Sequence, residues 1–257
     1  MYKKIEGLFM AFATTLVLVG CGKIESNNIE VPNEQNGAAI NIINTNSYDE
    51  LEFAITPAIP KEYSQNTVIE NYINLEYEVP MTFDNIVKNF TDAMTTVKVE
   101  NISYTSIPNP SGGARAWTII KASVVENIKG HIAPGTELNI YMCGGYISMR
   151  DKLGDILYRE GGKYGDNSQL TESEINDTVF YEIINEGKLP VIGQEYVFCL
   201  AEASSFMKDG DYELVGGING MLLKDNNTYL QIIPASEECS EEKSIVFSYD
   251  DLVKLID

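Results

Sequence analysis

Between Thr96 and Cys143 apolar and polar residues alternate in three runs broken by glycine and proline. Period-two patterning puts one face of each run in a core and the other outside, which is the signature of half-buried antiparallel strands. The first run is "TVKVENISYTS", with Val97, Val99, Ile102 and Tyr104 as its apolar positions. "IPNPSGGA" then interrupts the pattern as a loop. In "WTIIKASVVENI", Ile120, Ala122 and Val124 share a face. After the turn "KGHIAPGT", "ELNIYMC" puts Leu138, Ile140 and Met142 on one face and Tyr141 and Cys143 on the other. No GxGxxG and no regular strand–helix alternation is present, so a doubly wound parallel sheet is disfavoured.

Downstream, Thr171 and Glu174 form a capping box, and Ile175, Val179, Phe180, Ile183 and Ile184 fit one helical stripe. The expectation is one helix over 171–187, stopped by Gly187 with Pro190 after it. Strands follow at "EYVFCLAEA", "YELVGG" and "TYLQIIP". "SYDDLVKLID" predicts a last helix capped by Ser248 and Asp251, burying Leu252, Val253 and Ile256. Upstream, "TVIENYINLEYEV" holds a strand, and Phe83, Ile86, Val87 and Phe90 stand at i, i+3, i+4 and i+7 of a short helix. The fold class is therefore mainly β (α+β). Three strands, a helix and two or three strands is the order of an OB-like Greek-key β-barrel with one helix between strands three and four. A different five-strand α+β sheet would share that order. If 171–187 is not one helix in that position, the OB plan loses its sequence support.

The N-terminus sets the compartment. Lys3 and Lys4 precede an apolar run from Leu8 to Val19, too short to span a bilayer and matched to a secretory signal. Leu18, Val19, Gly20 and Cys21 resemble the lipobox of bacterial lipoproteins. The resemblance implies cleavage before Cys21 and a diacylglycerol thioether on it, with two acyl chains supplying a stable membrane anchor. The expected organisation is a lipoprotein signal peptide over 1–20, a flexible tether over 21–50, an extension with a short helix over 51–95, and the barrel with its C-terminal helix over 96–257. A tether of that length reaches roughly 30 Å. The protein is expected on the extracytoplasmic face of the cell membrane.

"IIKASVVENIKGHIAPGTELNIYMCGG" and "LPVIGQEYVFCLAEA" resemble a class of uncharacterised Gram-positive surface lipoproteins. The matching positions are Val124, Val125 and Glu126, Lys129 and Gly130, Gly135, Gly144 and Gly145, Gly193, Tyr196 to Phe198, and Gly217 with Gly220. The layout is also similar to the OB-type domain of metalloproteinase-inhibitor and netrin modules, which implies an OB-like barrel. Their inhibitory mechanism uses a free N-terminal cysteine on the target's zinc. Lipid on Cys21 and the absence of a dense disulfide set leave the fold as all that the resemblance implies.

Charge narrows the partners. Against 18 Lys and Arg stand 38 Asp and Glu, a net of −20. Loss of residues 1–20 removes two Lys and one Glu and takes the net to −21. A chain this acidic has no basic face for phosphates, which excludes nucleic acid as the expected partner. His131 is the only histidine and falls in a turn, where ordinary exposure accounts for it. One His with scattered Cys143, Cys199 and Cys239 makes no zinc site. Asp209, Asp211 and Glu213 lack the spacing of a calcium loop, and Asp166, Ser168, Glu172 and Glu174 are in part explained by the helix cap. No metal, cofactor or catalytic residue is expected. Cys143 and Cys199, on strands three and four of the barrel, are a candidate disulfide or two buried thiols. Cys239 lies among acids that raise its pKa. Trp117, Tyr141 and Tyr146 fall where OB barrels bind ligands, and strand aromatics are also ordinary core residues. The leading function is a non-catalytic module that binds a protein, peptide or glycan at the cell surface. A structural envelope lipoprotein without a small ligand and a hydrolase of extracellular polymers are the alternatives.

Overall fold

The computed structural model describes residues 41–43, 59–75, 79–109, 112–154, 170–185, 188–204, 207, 212–233 and 243–256. In chain order the elements are β1 (Asn41–Ile43), β2 (Thr67–Ile73), α1 (Phe83–Asn89), β3 (Ala93–Pro108), β4 (Ala114–Lys129), β5 (Glu137–Cys143), β6 (Gly145–Ser148), α2 (Met149–Leu153), α3 (Glu172–Asp177), β7 (Thr178–Ile184), β8 (Glu195–Glu202), β9 (Tyr212–Leu214), β10 (Met221–Asp225), β11 (Thr228–Ile233), β12 (Lys243–Ser248) and α4 (Tyr249–Ile256). The protein is mainly β, in two sheets.

The larger sheet bends into a ring. β3, β4 and β5 form an antiparallel meander, with Ile120 opposite both Ile102 and Ile140. β5 pairs parallel with the short β9, β9 pairs antiparallel with β8, and β8 returns to β3 along Ala93↔Leu200 to Lys98↔Glu195. Closure removes the strand edges that an open sheet would expose. The other side of β8 pairs with β10 at Tyr196 to Phe198, and the sheet continues through β11 and β12 to β1. β1 lies within the stretch expected to be a tether. Register shifts in the β3–β4 hairpin between Met94 and Thr95, Thr96 and Val97, and Val99 and Asn101 supply the bulges that bend these long strands.

Alternation places the core as expected. Val97, Val99, Ile120, Ala122, Val124, Leu138, Ile140 and Met142 face one apolar cluster, together with Tyr196, Phe198 and Leu200 of β8. Each large apolar side chain withdrawn there contributes about 1.5–3 kcal/mol. The Tyr196 hydroxyl is satisfied by the Val191 N–H at 2.9 Å. The opposite face of β8 and its neighbours is covered by α1 and α4, where Phe83, Ile86, Val87 and Leu252 meet Val197, Leu222 and Phe247.

Both flanking helices follow their sequence signals. Thr82 caps α1, its hydroxyl accepting from the Asn85 N–H at 3.4 Å. The Lys129 ammonium donates to the carbonyls of Val87 and Thr91 at 2.9 and 2.7 Å, closing the helix C-terminus. Phe90 was expected on the buried stripe. It stands past the last helical residue and is 41% exposed. At α4 the Asp251 carboxylate accepts from the Ser248 N–H and hydroxyl at 2.9 and 2.7 Å. Leu252 is buried, while Val253 and Ile256 are half-buried.

The single helix over 171–187 is not formed. The capping box is present: the Thr171 N–H donates to Glu174 at 2.7 Å and the Glu174 N–H to the Thr171 hydroxyl at 3.2 Å. The helix it opens, α3, ends at Asp177, and Thr178 turns to β backbone. "TVFYEII" is β-branched and aromatic, and it finds a matching partner in "TVIENYI" of β2, pairing parallel from Thr67↔Thr178 to Ile73↔Ile184. With β6 on its other side, β7 is the centre of a second, three-stranded sheet. Ile175 of the five-residue stripe stays in α3, and the other four fall on both faces of β7, where tertiary pairing decided for the strand.

The seam between the sheets is Gly144–Gly145, joining β5 to β6. Their φ values are +99° and +118°, backbone that side chains rarely adopt. A Cβ on Gly145 would lie 2.6 Å from Tyr104 Cδ1 and 2.7 Å from Thr118 Oγ1. The three-stranded sheet meets the ring through aromatic rings: Tyr146 stacks on Tyr181 at 4.7 Å and meets Tyr104 of β3 edge-on at 5.0 Å.

Candidate functional site

On the outward face of β4 and β5, Trp117 stands directly opposite Cys143, and Ile119 opposite Tyr141. Trp117 and Tyr141 pack edge-to-face with centroids 6.2 Å apart, and Met207 covers them. Each is less than a tenth exposed. Tyr146 is elsewhere. It lies past the Gly144–Gly145 seam, 3% exposed, in the tyrosine cluster of the three-stranded sheet. The three aromatics singled out in the sequence therefore form two separate clusters, and no exposed patch unites them.

Trp117 nevertheless borders a cleft of about 410 Å³, within the range of small-molecule and peptide-side-chain sites. The cleft lies where the ends of β4, β5 and β9 come beside the ends of β2 and β7. Phe90, Met142 and Ile218 give it apolar walls, and Arg115, Cys143 and Glu213 give it polar ones. Arg115 is on the same face of β4 as Trp117, two residues away, so period two brings guanidinium and indole together. Glu213 is set by the ring closure, since β9 pairs Glu213 with Tyr141 of β5 and Ala201 of β8.

Burial raises the pKa of the Glu213 carboxyl. The Cys143 thiol is also pushed up, first by burial and then by the charges of Glu182 and Glu213, against the opposing pull of Arg115 and a hydrogen bond from the Gly144 backbone. A protonated thiol is a poor nucleophile. Full burial drives the Cys199 thiol up to about 12. The two cysteines are both free, and they sit in different clusters: Cys143 beside Trp117 and Tyr141, Cys199 beneath α1. The disulfide left open by the sequence is not formed.

A buried ion pair lies behind the cleft. Glu182 of β7, 7% exposed, accepts from the Ala116 N–H of β4 at 3.3 Å and pairs with Lys152 of α2. The Lys152 ammonium also lies 4.5 Å from the Phe180 ring centre. This arrangement holds the second sheet against β4, next to Arg115.

The other residues weighed in the sequence are accounted for individually. His131 is exposed in its turn and borders a second concavity of about 500 Å³ with Asp92 and Glu202. There the Asp92 carboxylate accepts the Glu202 N–H at 3.0 Å. Glu172 pairs with Arg150 at 2.7 Å, and Glu174 is the α3 capping residue. Cys21, Asp166, Ser168, Gly187, Asp209, Asp211 and Cys239 lie outside the described residues. Among the described residues no group of three metal-ligating side chains converges, and no helix is long and apolar enough to cross a membrane. Among the described residues that line the Trp117 cleft, Glu213 is the one carboxylate. Sequence reasoning missed Arg115, although its period-two relation to Trp117 was visible. It considered Glu213 only as a calcium ligand. Comparison with known proteins returns no match to any family model or curated protein.

Proposed function

We propose that the protein is a lipid-anchored, non-catalytic binding module on the extracytoplasmic face, and that its ligand site is the Trp117 cleft. The observation that carries the reading is a tryptophan in the wall of a 410 Å³ concavity, beside one cation and one anion, on the outward face of a closed strand ring. We read that ring as an OB-like barrel. Its pairing order, β3–β4–β5 then β9 parallel to β5 and β8 back to β3, supports the assignment. Its departure from the simple plan is that β6, α2, α3 and β7 occupy the place of the single helix. OB-type barrels take ligands on this face.

Anchoring rests on the signal-like N-terminus and the lipobox-like "LVGC". Metabolic labelling with palmitate should mark the wild type and leave Cys21→Ala unlabelled. Equal labelling would remove the anchor from the reading. Ligand binding has a built-in probe, because Trp117 is the chain's only tryptophan. Soluble peptides and oligosaccharides released from the cell envelope should shift or quench its emission, and the response should saturate. An emission unchanged by every fraction would withdraw the cleft as a ligand site.

The second reading is a structural envelope protein without a small ligand. It is favoured by the exposed apolar side chains of Ile69 and Tyr72 on the edge strand β2 and of Leu75 just after it.

A further inference from the structure

Two charges in the Trp117 cleft have no partner of their own. Among the described residues, neither the Arg115 guanidinium nor the Glu213 carboxylate makes a hydrogen bond or ion pair. Other charged side chains around the ring and the second sheet are paired: Lys121 with Glu137, Lys152 with Glu182, Lys224 with Glu195, Arg150 with Glu172. A half-buried carboxylate without a donor is costly, since desolvation penalises its charge and nothing local offsets it. Unspent charges of opposite sign in one apolar cleft describe the complement of a ligand that carries both.

Spacing limits that ligand. Arg115 is on β4 and Glu213 on β9, with only β5 between them. Two strand spacings are about 10 Å. Arg115 is also displaced along the strands, since Trp117 is level with Cys143 whereas Glu213 is level with Tyr141. Both charges still act on the Cys143 thiol between them. The backbone span that carries the two charges suits the two ends of a short extended peptide. Trp117 and Phe90 offer apolar contact between those ends.

Resting on the assignment of the cleft as the ligand site, we infer that it takes a short zwitterionic peptide, the amino group at Glu213, the carboxylate at Arg115, and an apolar side chain against Trp117. An uncharged glycan would use neither charge and would leave the half-buried Glu213 carboxylate uncompensated.

Trp117 emission tests this in the folded protein with four forms of one tripeptide, Ala-Phe-Ala: free, N-acetylated, C-amidated and blocked at both ends. The free form should bind, and each single block should weaken binding about tenfold, the loss of one charge-assisted contact. Glu213→Gln should abolish the difference between free and acetylated peptide and keep the preference for a free carboxylate. Arg115→Gln should do the reverse. Both variants are at positions with no partner to lose, and their thermal unfolding should confirm a native fold. If the doubly blocked tripeptide, or an uncharged oligosaccharide, perturbs Trp117 as strongly as the free peptide, the zwitterion assignment falls and the ligand cleft stands. If no probe in any form perturbs Trp117 at millimolar concentration, both fall.

Discussion

The ring and the three-stranded sheet are held together by different means. Inside the ring, β3, β4, β5 and β8 bury an apolar cluster in which Tyr196, Phe198 and Leu200 are fully enclosed. The three-stranded sheet rests on stacked tyrosines and on the Lys152–Glu182 pair. Connectivity differs as well. β3 to β5 pair with their neighbours in the chain, so short hairpins close them. β2 and β7 are separated in the chain by those ring strands, and such distant parallel pairing costs more loop entropy to close. The ring is therefore the platform and the small sheet an attachment. The Trp117 cleft lies along their border, where one side is rigid and the other is held by polar contacts.

The largest test of this difference is Phe198→Ala. It empties the centre of the ring and should cost about 3–5 kcal/mol in urea unfolding followed by Trp117 emission. Amide exchange should accelerate in both sheets together. Persisting protection in β7 with β8 unprotected would reverse the roles of platform and attachment. Next is Gly145→Ala, at the seam. Strained backbone and contact with Tyr104 and Thr118 should cost about 3 kcal/mol, and exchange should rise in β6 and β7 while β8 stays protected. Loss confined to the ring would contradict the comparison. Smaller again is Glu182→Gln, which leaves the Lys152 charge unpaired. Lys152 keeps 23% of its side chain in water, so the cost should be about 2 kcal/mol, below that of breaking a fully buried pair. A Lys152→Met change added to Glu182→Gln should recover most of it. Simple additivity of the two in a double-mutant cycle would show that the pair does not hold the sheet.

The same contrast explains what the sequence could reveal. Ring strands were legible because their faces alternate cleanly. Leu138, Ile140 and Met142 separate from Tyr141 and Cys143 as period two demands. The Thr171 and Ser248 caps were legible because a cap is a local hydrogen-bond exchange. β7 was not. Val179, Phe180, Ile183 and Ile184 satisfy a helical stripe, and only the pairing with β2 makes them a strand. Tyr146 was grouped with Trp117 by its position in the chain, while two left-handed glycines carry it to the other sheet. The cleft was half legible. Trp117 and Arg115 share one strand face, but Glu213 joins them through a parallel β5–β9 pairing that no local pattern announces.

The smallest effect concerns the cleft itself. Burial holds the Glu213 pKa above the ordinary carboxylate value, so the folded protein keeps a proton there that the unfolded chain has released. Stability from this group is thus fully present below the unfolded carboxylate pKa and is lost as pH rises through the folded one. Above that window the ionised Glu213 is a net cost, and a neutral amide of the same shape removes it. Glu213→Gln should therefore stabilise the protein at pH 7.5 by about 0.5 kcal/mol, with no gain at acidic pH where the wild-type group is protonated. Thermal unfolding at the two pH values measures it. A gain of equal size at both would mean that the charge is not what the site bears. Glu213 sits on the ring, in the same cleft wall as the other unmatched charge, Arg115. On the proposed reading of the cleft, a ligand cation bound at Glu213 should cancel the wild-type deficit.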